Sequence, residues 1–487
     1  VTYSGSLAGL PRLSAQRQQA RVGIYGLGEL AAASAGGDTT RVGADISVPL
    51  ISGTSLVTTL HPDYSDVEVD QQTIAPSAFP RIFNDFRPFF TQGANVYSYP
   101  SGVCPACQVV EFYTPNIPTP RDGYAVEGQR GLFSYGALHT DSADRTDTGD
   151  AIDYISPNQR TALDFQGSQV DAGALHDIAD GMTFTENNLN DLIVFGRYGD
   201  NAGSDVLDGD QAQRYETGAE WYDAAGANVT AVIRKIGAYF APVDGLVQHP
   251  DIAGYDVNFT EPFKYATTDR YTEFEVIGDL SRYHDHAGAY DQTEQNLGAS
   301  LTMRTLFNLQ VSTGSEYTLV PGATATAPPV FTPITQRGAQ IGYNLNGLLP
   351  SFVDFNVGRF GPGTLDSWTR SASVRAGTRG ALTLEADDTD QFADSGLRYT
   401  QWLERAGFTY QSGADQSLAF GIRRVIGFAP QLVAPSGFQS GWNLSAAYHR
   451  KVPGGEWYVV YGDPAAFSTA PSFIIKYIKY IGADKGT

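Results

Sequence analysis

This chain has 487 residues, in which 53 Asp and Glu outnumber 32 Lys and Arg and give a net charge of −21 at pH 7. Such an acidic balance argues against nucleic-acid binding and against a polybasic grip on anionic lipid, because both need clustered basic residues. Aromatic residues make up 12% of the chain, with 27 Tyr, 26 Phe and 5 Trp. Tyr and Trp suit membrane interfaces, since each joins an apolar ring to a polar tip. The composition favours a membrane barrel, although charge alone does not exclude a soluble acidic protein.

The first predicted elements are strands, because apolar and polar side chains alternate with period two over Ala20 to Ala33, Arg41 to Leu50 and Ser55 to Leu60. After Pro62 the alternation stops, and nine prolines lie between residues 62 and 120. Proline removes donors from a strand ladder, so this stretch is not a row of membrane strands. We therefore divide the chain into first barrel strands (1–62), an irregular segment rich in Pro and Phe (63–120) and the remaining strands with long extracellular loops (121–487), within one barrel domain.

Alternation returns after residue 120 and continues to the end of the chain. The clearest case is one strand in which Trp442 and Leu444 face one side while Asn443 and Ser445 face the other. One face of such a strand meets an apolar medium and the other meets water. Further strands are predicted at Gly123 to His139, Asp191 to Tyr198, Gln213 to Ala224, Asn228 to Phe240, Tyr271 to Tyr283, Gln336 to Asn346, Glu456 to Tyr461 and Phe473 to Ile481, the last as the closing strand.

Long loops are predicted between several of these strands, at 141–159, 200–213, 241–266 and 313–333. Long connections on one rim and short turns on the other are typical of bacterial outer-membrane barrels. The sequence therefore predicts an all-β fold, a transmembrane antiparallel β-barrel of about 16–18 strands. It further predicts the bacterial cell outer membrane as the location, with any export signal already removed or outside this sequence.

The irregular segment carries a family resemblance. It reads His-Pro-Asp-Tyr-Ser-Asp-Val-Glu-Val-Asp over residues 61–70 and Phe-Asn-Asp-Phe-Arg-Pro-Phe-Phe-Thr-Gln-Gly over residues 83–93. This resembles an uncharacterised family of bacterial outer-membrane barrels usually found downstream of a family-nine carbohydrate-binding-like domain. The chain departs from that family's pattern at Phe86, where a lysine is usual, and at Gln92, where a glutamate is usual. The resemblance implies an outer-membrane location and a sugar-binding-like domain that precedes Val1 or was never present.

The same segment is predicted to fold inward as a plug or constriction. Arginine binds carboxylates in a bidentate way, so Arg87 can anchor the segment through a neighbouring acid. A long surface loop is the alternative, although loops of this length are usually functional or disordered. The predicted plug residues are Glu68, Asp70, Phe83, Asp85, Arg87, Phe89 and Phe90.

Cys104 and Cys107 form a Cys-Pro-Ala-Cys unit. No strand–helix context like that of a thioredoxin surrounds the pair, no His follows Cys107 for haem attachment, and a second Cys pair for zinc is missing from the sequence. A local disulfide formed in an oxidising compartment is therefore predicted.

Two polar clusters are candidates for metal binding. Asp200, Asp205, Asp208 and Asp210 lie within eleven residues, and hard cations such as Ca²⁺ prefer several oxygen ligands from one flexible loop. The spacing does not match an EF-hand, so a solvated acidic loop is the alternative, and no other cofactor is predicted. His284-Asp285-His286 provides no third ligand, which favours a polar cluster at a loop tip.

The sequence contains no nucleophile elbow, P-loop or dinucleotide fingerprint, and no enzymatic activity is predicted. A porin-like or gated channel for small solutes is the first functional prediction, with outer-membrane lipid around the barrel and the solute in its lumen. If the acidic side chains line that lumen, they favour cations. A scaffold that anchors a protein partner at its long loops is the alternative. A barrel enzyme and a soluble secreted β-protein are the remaining alternatives.

Overall fold

The computed structural model describes residues 20–31, 38–51, 53–62, 87–91, 109–189, 191–204, 209–320, 330–347, 349–361, 363–392, 398–427, 439–462 and 472–482. Most of these residues lie in strands. In the described ranges, the helical elements are one turn of α-helix, α1 (Pro88–Thr91), and two 3₁₀ turns at Thr114–Asn116 and Asp210–Ala212. Within the described ranges, no helix is both long enough and apolar enough to cross a membrane.

The strands of the first half of the chain are β1 (Arg21–Ala31), β2 (Thr39–Ile51), β3 (Thr54–Leu60), β4 (Val109–Val110), β5 (Asp122–Arg130), β6 (Phe133–Asp141), β7 (Thr146–Ile155), β8 (Thr161–Ala172), β9 (Leu175–Leu189), β10 (Leu192–Gly203), β11 (Gln213–Tyr222), β12 (Asn228–Ile236) and β13 (Leu246–Val247). The strands of the second half are β14 (Ile252–Lys264), β15 (Tyr271–His284), β16 (Tyr290–Met303), β17 (Phe307–Val320), β18 (Val330–Tyr343), β19 (Ser351–Phe360), β20 (Leu365–Ala376), β21 (Gly380–Phe392), β22 (Arg398–Gly413), β23 (Gln416–Gly427), β24 (Gln439–Val452), β25 (Gly455–Tyr461) and β26 (Ser472–Ile481).

Twenty-four of these strands form one closed antiparallel barrel. Each strand pairs with its neighbour in sequence, except that β4 and β13 leave the wall and pair with each other. The barrel closes where β1 pairs with β26, with Val22 opposite Ile481 and Ala31 opposite Ser472. The predicted fold class and the predicted closing strand are therefore confirmed. Closure satisfies the backbone hydrogen bonds that an open edge would expose to lipid.

The predicted count of about 16–18 strands is wrong, because the barrel has 24. Two of the predicted loops contain whole strands, since β7 lies within 141–159 and β14 within 241–266. The physical reason is that the strands are as long as 16 residues, whereas about ten residues cross a bilayer. The parts that extend beyond the membrane carry polar side chains on both faces, as at Asp147 on the inner face and Thr148 on the outer face of β7, and so lose the alternation.

The outer face of the barrel is apolar over a continuous band. Trp442 and Leu444 of β24 are 55% and 48% exposed on this face, whereas Asn443 between them is 2% exposed on the other. The predicted facing of this strand is thus confirmed. Paired aromatic rings lie near both ends of the strands, as in Tyr265–Tyr271 at 6.0 Å and Tyr317–Phe331 at 5.5 Å between ring centroids. Such aromatic girdles mark the two membrane interfaces.

The two rims of the barrel differ in the length of their connections. One rim, here the short-turn rim, has tight turns such as 131–132, 414–415 and 453–454. The opposite rim, here the long-loop rim, has longer connections that include 61–121 and 237–251. Because outer-membrane barrels place short turns in the periplasm, the long-loop rim faces the cell exterior.

The barrel is so wide that its own side chains cannot fill the lumen. With 24 strands, a spacing of ~4.8 Å and a tilt of about 40° give a cylinder roughly 48 Å across. Side chains from the wall reach only a small part of that distance. The lumen must therefore hold water, inserted chain, or both.

The facing of β24 can be tested by introducing a charge on either side. We expect Leu444→Arg to destabilise the folded barrel by about 2–4 kcal/mol, because Leu444 faces mid-bilayer lipid. Ser445→Arg should have a much smaller effect, since Ser445 faces the lumen. Urea unfolding in phospholipid vesicles measures both, and equal losses would show that the facing assignment is wrong.

Candidate functional site

Three segments enter the lumen and pack together into what we call the inner unit: residues 87–91, 109–120 and 237–251. The last two segments are joined by the two-stranded sheet, in which Val110 pairs with Leu246 and Val109 with Val247. Two further bonds tie them together: the Tyr113 amide donates to the Asp244 carbonyl at 2.5 Å, and the Asn116 side chain donates to the Gly245 carbonyl at 2.5 Å. Segment 109–120 leads into β5, and segment 237–251 joins β12 to β14, all at the long-loop rim, so the unit is connected to the wall on that side.

The segment at 87–91 is fixed to the same unit through Arg87. Its guanidinium donates to the carbonyl of Ile117 at 2.7 Å and to that of Thr114 at 2.5 Å. The guanidinium also lies 4.1 Å from the centre of the Phe90 ring, within cation–π range. Phe89 and Phe90 are each 4% exposed. Arg87 therefore joins 87–91 to 114–117 and holds two aromatic rings in an apolar contact.

The inner unit packs directly against the barrel wall. A Cβ on Gly149 of β7 would overlap the Phe112 ring, and a Cβ on Gly181 of β9 would overlap the Glu111 side chain. The wall lacks side chains at these points, which lets the inserted backbone approach closely. The resulting buried apolar cluster joins the inner unit to β3, β5, β6 and β7, and it consists of Val57, Phe89, Phe90, Phe112, Ile117, Ala125, Leu138 and Ala151.

A buried ion pair connects the inner unit to β11. The Arg214 guanidinium lies 2.8 Å from the Glu111 carboxylate and also donates to the Val109 carbonyl at 2.7 Å. Burial raises the pKa of Glu111, and the neighbouring Arg214 opposes that rise. Removing one partner of such a pair leaves an uncompensated buried charge, so the pair fixes the position of the segment.

A second set of polar contacts holds the 237–251 segment. Arg145, in the connection between β6 and β7, binds both Asp147 of the wall and Asp244 of the inner unit. Burial, with the Asp147 carboxylate beside it, raises the pKa of Asp244 to about 8, and Arg145 opposes this rise. The Val243 amide donates to Asp177 of β9 at 2.9 Å. Segments 109–120 and 237–251 of the inner unit are thus each anchored to the wall by charged groups.

The wall itself carries a ladder of buried charges across four neighbouring strands. Arg197 binds Glu216, whose carboxylate lies 3.6 Å from Arg234. Arg234 in turn lies 2.8 Å from Asp256, which accepts a hydrogen bond from Tyr283. Charges of alternating sign on adjacent strands stabilise one register of the sheet.

The opposite half of the inner wall is more accessible. From β16 to β20 many of its inward side chains are polar and partly exposed, as at Gln310, Ser312, Asp354 and Asn356. This accessible wall contrasts with the covered wall from β3 to β15, where Ser168, Asp177 and Arg214 are each less than 5% exposed. Among the described residues, the inner unit covers one side of the lumen and leaves the other side polar.

The structure describes only some of the predicted site residues. Arg87, Phe89 and Phe90 come together in the inner unit, but Arg87 binds backbone carbonyls of 114–117, a contact that was not predicted. The remaining predicted residues of the plug, of the disulfide and of the acidic loop lie outside the described residues, namely Glu68, Asp70, Phe83, Asp85, Cys104, Cys107, Asp205 and Asp208. The plug as a whole, the disulfide and the Ca²⁺ site therefore stay predictions.

Of the other acidic-loop residues, Asp200 belongs to β10 and accepts a hydrogen bond from Tyr198 at 3.5 Å. Asp210 begins a 3₁₀ turn at Asp210–Ala212. In the described part of the chain, no group of three or more His, Cys, Asp and Glu side chains is placed to hold a metal ion. His286 of the predicted loop-tip cluster binds Asp251 at 2.8 Å.

Sequence reasoning missed Glu111, Arg145, Arg214 and Asp244. Arg214 lies in a predicted strand on the face opposite Tyr215, so the alternation alone places it in the lumen. Its partner could not be identified, because Glu111 is 103 residues away in sequence and only the folded chain brings the two together. Pro242 and Gly245 lie on either side of Asp244, and such turn-forming residues indicate an irregular connection at this point of the chain.

The closed barrel, its apolar outer band and its unequal rims define the chain as a transmembrane β-barrel of the bacterial outer membrane. No family model matches the chain, and no curated protein matches it either, so the family resemblance stays a prediction.

Solved structures with a similar arrangement exist, at low sequence identity. The siderophore receptor PirA from Pseudomonas aeruginosa aligns with a TM-score of 0.49 and 8% identity, over 95% of this chain and 80% of that chain. A variant of the ferric enterobactin receptor PfeA from the same organism gives a TM-score of 0.48 with the same identity and coverage. The translocation pore of the P pilus usher PapC gives 0.32 at 8% identity, over 96% of this chain and 100% of that chain.

The anchoring role of Arg214 is testable by hydrogen exchange. We expect Arg214→Met to raise exchange at the Tyr113 amide by roughly 100-fold or more, because it leaves the Glu111 carboxylate buried without its partner. The double variant Glu111→Leu/Arg214→Met should recover most of the protection, since neither charge remains. Amides of β17 and β18 serve as the control, and unchanged exchange at Tyr113 would contradict the anchoring role.

Proposed function

We propose that the protein is a gated outer-membrane channel for small polar solutes, with the inner unit as the movable part of its lumen. The observation that supports this most is the unequal lining of the lumen. One side of the wall is covered by a compact unit held by charged contacts, and the other side presents polar side chains to an accessible space. We propose no chemical reaction for the barrel.

The accessible wall supports passage of water-soluble molecules. Inward positions from β16 to β20 carry amides, hydroxyls and carboxylates, which exchange hydrogen bonds with a passing solute as readily as with water. Glycines such as Gly298 and Gly338 widen this face further, because no side chain extends from them. A barrel roughly 48 Å across leaves room for such a path beside the inner unit.

The charges on this wall favour cations. Glu294 and Glu316 face the lumen from β16 and β17, and Asp279 faces it from β15 at the border with the covered wall. Asn296 donates to Asp279 at 3.1 Å and to Glu294 at 2.5 Å. The inward-facing Arg405 is neutralised by Glu385 at 2.8 Å. The net sign of this region is therefore negative, and carboxylates along a pore attract cations and repel anions.

Gating is proposed from how the inner unit is attached. Among the described residues, it contacts the wall through a few ion pairs and hydrogen bonds and through two apolar clusters, one against β3 to β7 and one in which Phe240 packs with Ile236, Ile252 and Tyr283. Its chain joins the wall at the long-loop rim. A solute or a partner that competes for these contacts would shift the unit between a docked and a displaced arrangement. The long connections of the same rim stay the predicted docking surface for a protein partner.

Ion selectivity is the first test of this function. In planar bilayers with a KCl gradient, we expect a reversal potential that shows preference for K⁺ over Cl⁻. The triple variant Asp279→Asn/Glu294→Gln/Glu316→Gln should move the permeability ratio towards one. Glu404→Gln is the matched control, because Glu404 faces outward on β22, and it should leave the ratio unchanged. A ratio equal in wild type and triple variant would contradict the proposed path.

Release of the inner unit is the second test. We expect Arg214→Met to increase the time that single channels spend in the high-conductance state, because docking of the inner unit is weakened. Reconstituted wild-type and variant proteins are compared in the same bilayer. An absence of openings in both would remove the channel function and favour the scaffold alternative.

A further inference from the structure

A groove on the outer surface of the barrel is distinct from the lumen and from the inner unit. It has a volume of about 890 Å³ and runs across the lipid-facing side of β9 to β15. Gly196 and Ala253 form its floor, because their small side chains leave a depression between larger neighbours. Its outward-facing walls are Met182, Phe184, Tyr198, Tyr215, Ile233 and Tyr255.

One end of the groove carries basic residues. Lys235 and His284 also line it, and each lies directly opposite Ala253 in the strand register, one on either side. With strands ~4.8 Å apart, their Cα atoms are about 10 Å from each other. Arg282 lies two residues before His284 on the same face and opposite Tyr255. Lys235 and His284 therefore line one end of an apolar groove, and Arg282 lies beside Tyr255 on the same outer face.

This basic end lies close to the long-loop rim. Lys235 is the penultimate residue of β12, Ala253 the second residue of β14 and His284 the last residue of β15. All three strand ends are at the rim that faces the cell exterior. The apolar part of the groove extends from there towards the middle of the membrane. The basic residues are therefore at the level of the lipid headgroups, and the apolar part is at the level of the acyl chains.

We infer that this groove binds a phosphorylated, acylated lipid of the outer leaflet. The apolar walls would take an acyl chain, and the side chains of Lys235, Arg282 and His284 would contact the phosphate. Charge complementarity decides for an anionic headgroup in a chain whose net charge is −21.

The site is separate from the proposed channel function. The side chains that make it face lipid, whereas the contacts of the inner unit face the lumen. A bound lipid would fill a depression into which bulk acyl chains pack poorly. It would also contact β12, β14 and β15 beside the place where the 237–251 connection leaves the wall.

The test uses the full chain in a neutral non-ionic detergent, titrated with lipid A and followed by native mass spectrometry. We expect one lipid A per barrel, and roughly 30-fold weaker binding for Lys235→Gln/Arg282→Gln, because each basic residue near a lipid surface contributes a similar amount. Gly196→Leu should also weaken binding, since its side chain fills the floor. Phosphatidylcholine should not compete.

Two variants control for general effects on the outer surface. Arg337→Gln removes an exposed outward arginine on β18, and Gly26→Leu adds a side chain at an open outward position on β1. Both should bind lipid A like the wild type. Equal loss in the controls and in the groove variants, equal binding of phosphatidylcholine, or unchanged binding by both groove variants would each overturn the inference.

Discussion

Closure of the sheet is the constraint on which the rest of this structure depends. A β-sheet crosses lipid only when every backbone donor and acceptor is paired, and the pairing of β1 with β26 removes the last free edge. Closing 24 strands produces a wide cylinder, because circumference grows with strand number. That width separates the walls beyond the reach of side chains, and it makes the lumen a place where additional chain is accommodated. The inner unit is one consequence of this geometry.

Buried charge explains how the inserted chain is held. An apolar segment on a polar wall would have no preferred position, whereas Glu111 with Arg214 and Asp244 with Arg145 each define one. The loss of hydration at these groups is large, so their pairing specifies position more than it adds stability. Gly149 and Gly181 complete the fit, because they let aromatic and acidic side chains of the insert reach the wall. The charged contacts and the missing side chains together produce a docked unit on one side of the lumen.

The sequence predicts the type of fold well, and it predicts the number of strands poorly. Alternation around Trp442 and Leu444 identifies the lipid-facing side, because every strand that crosses the membrane must present apolar side chains to the same lipid. Strands such as β7 were missed, since above the membrane they carry polar side chains on both faces and the pattern disappears. The sequence predicted a carboxylate partner for Arg87, and its bonds to the backbone carbonyls of Thr114 and Ile117 could not be predicted from residue types. Contacts such as Arg214 with Glu111 depend on the register of the whole barrel, which no local pattern contains.

Water accessibility of matched serines on the two halves of the wall tests the central claim most directly. In a background with Cys104 and Cys107 replaced by Ser, single cysteines are introduced at Ser312 on the accessible wall and at Ser168 on the wall beneath the inner unit, where Ser168 donates to the Glu111 carbonyl at 3.1 Å. A membrane-impermeant thiol reagent should react rapidly at position 312 and very slowly at position 168. Similar rates at the two positions would show that nothing covers one side of the lumen, and would contradict the account.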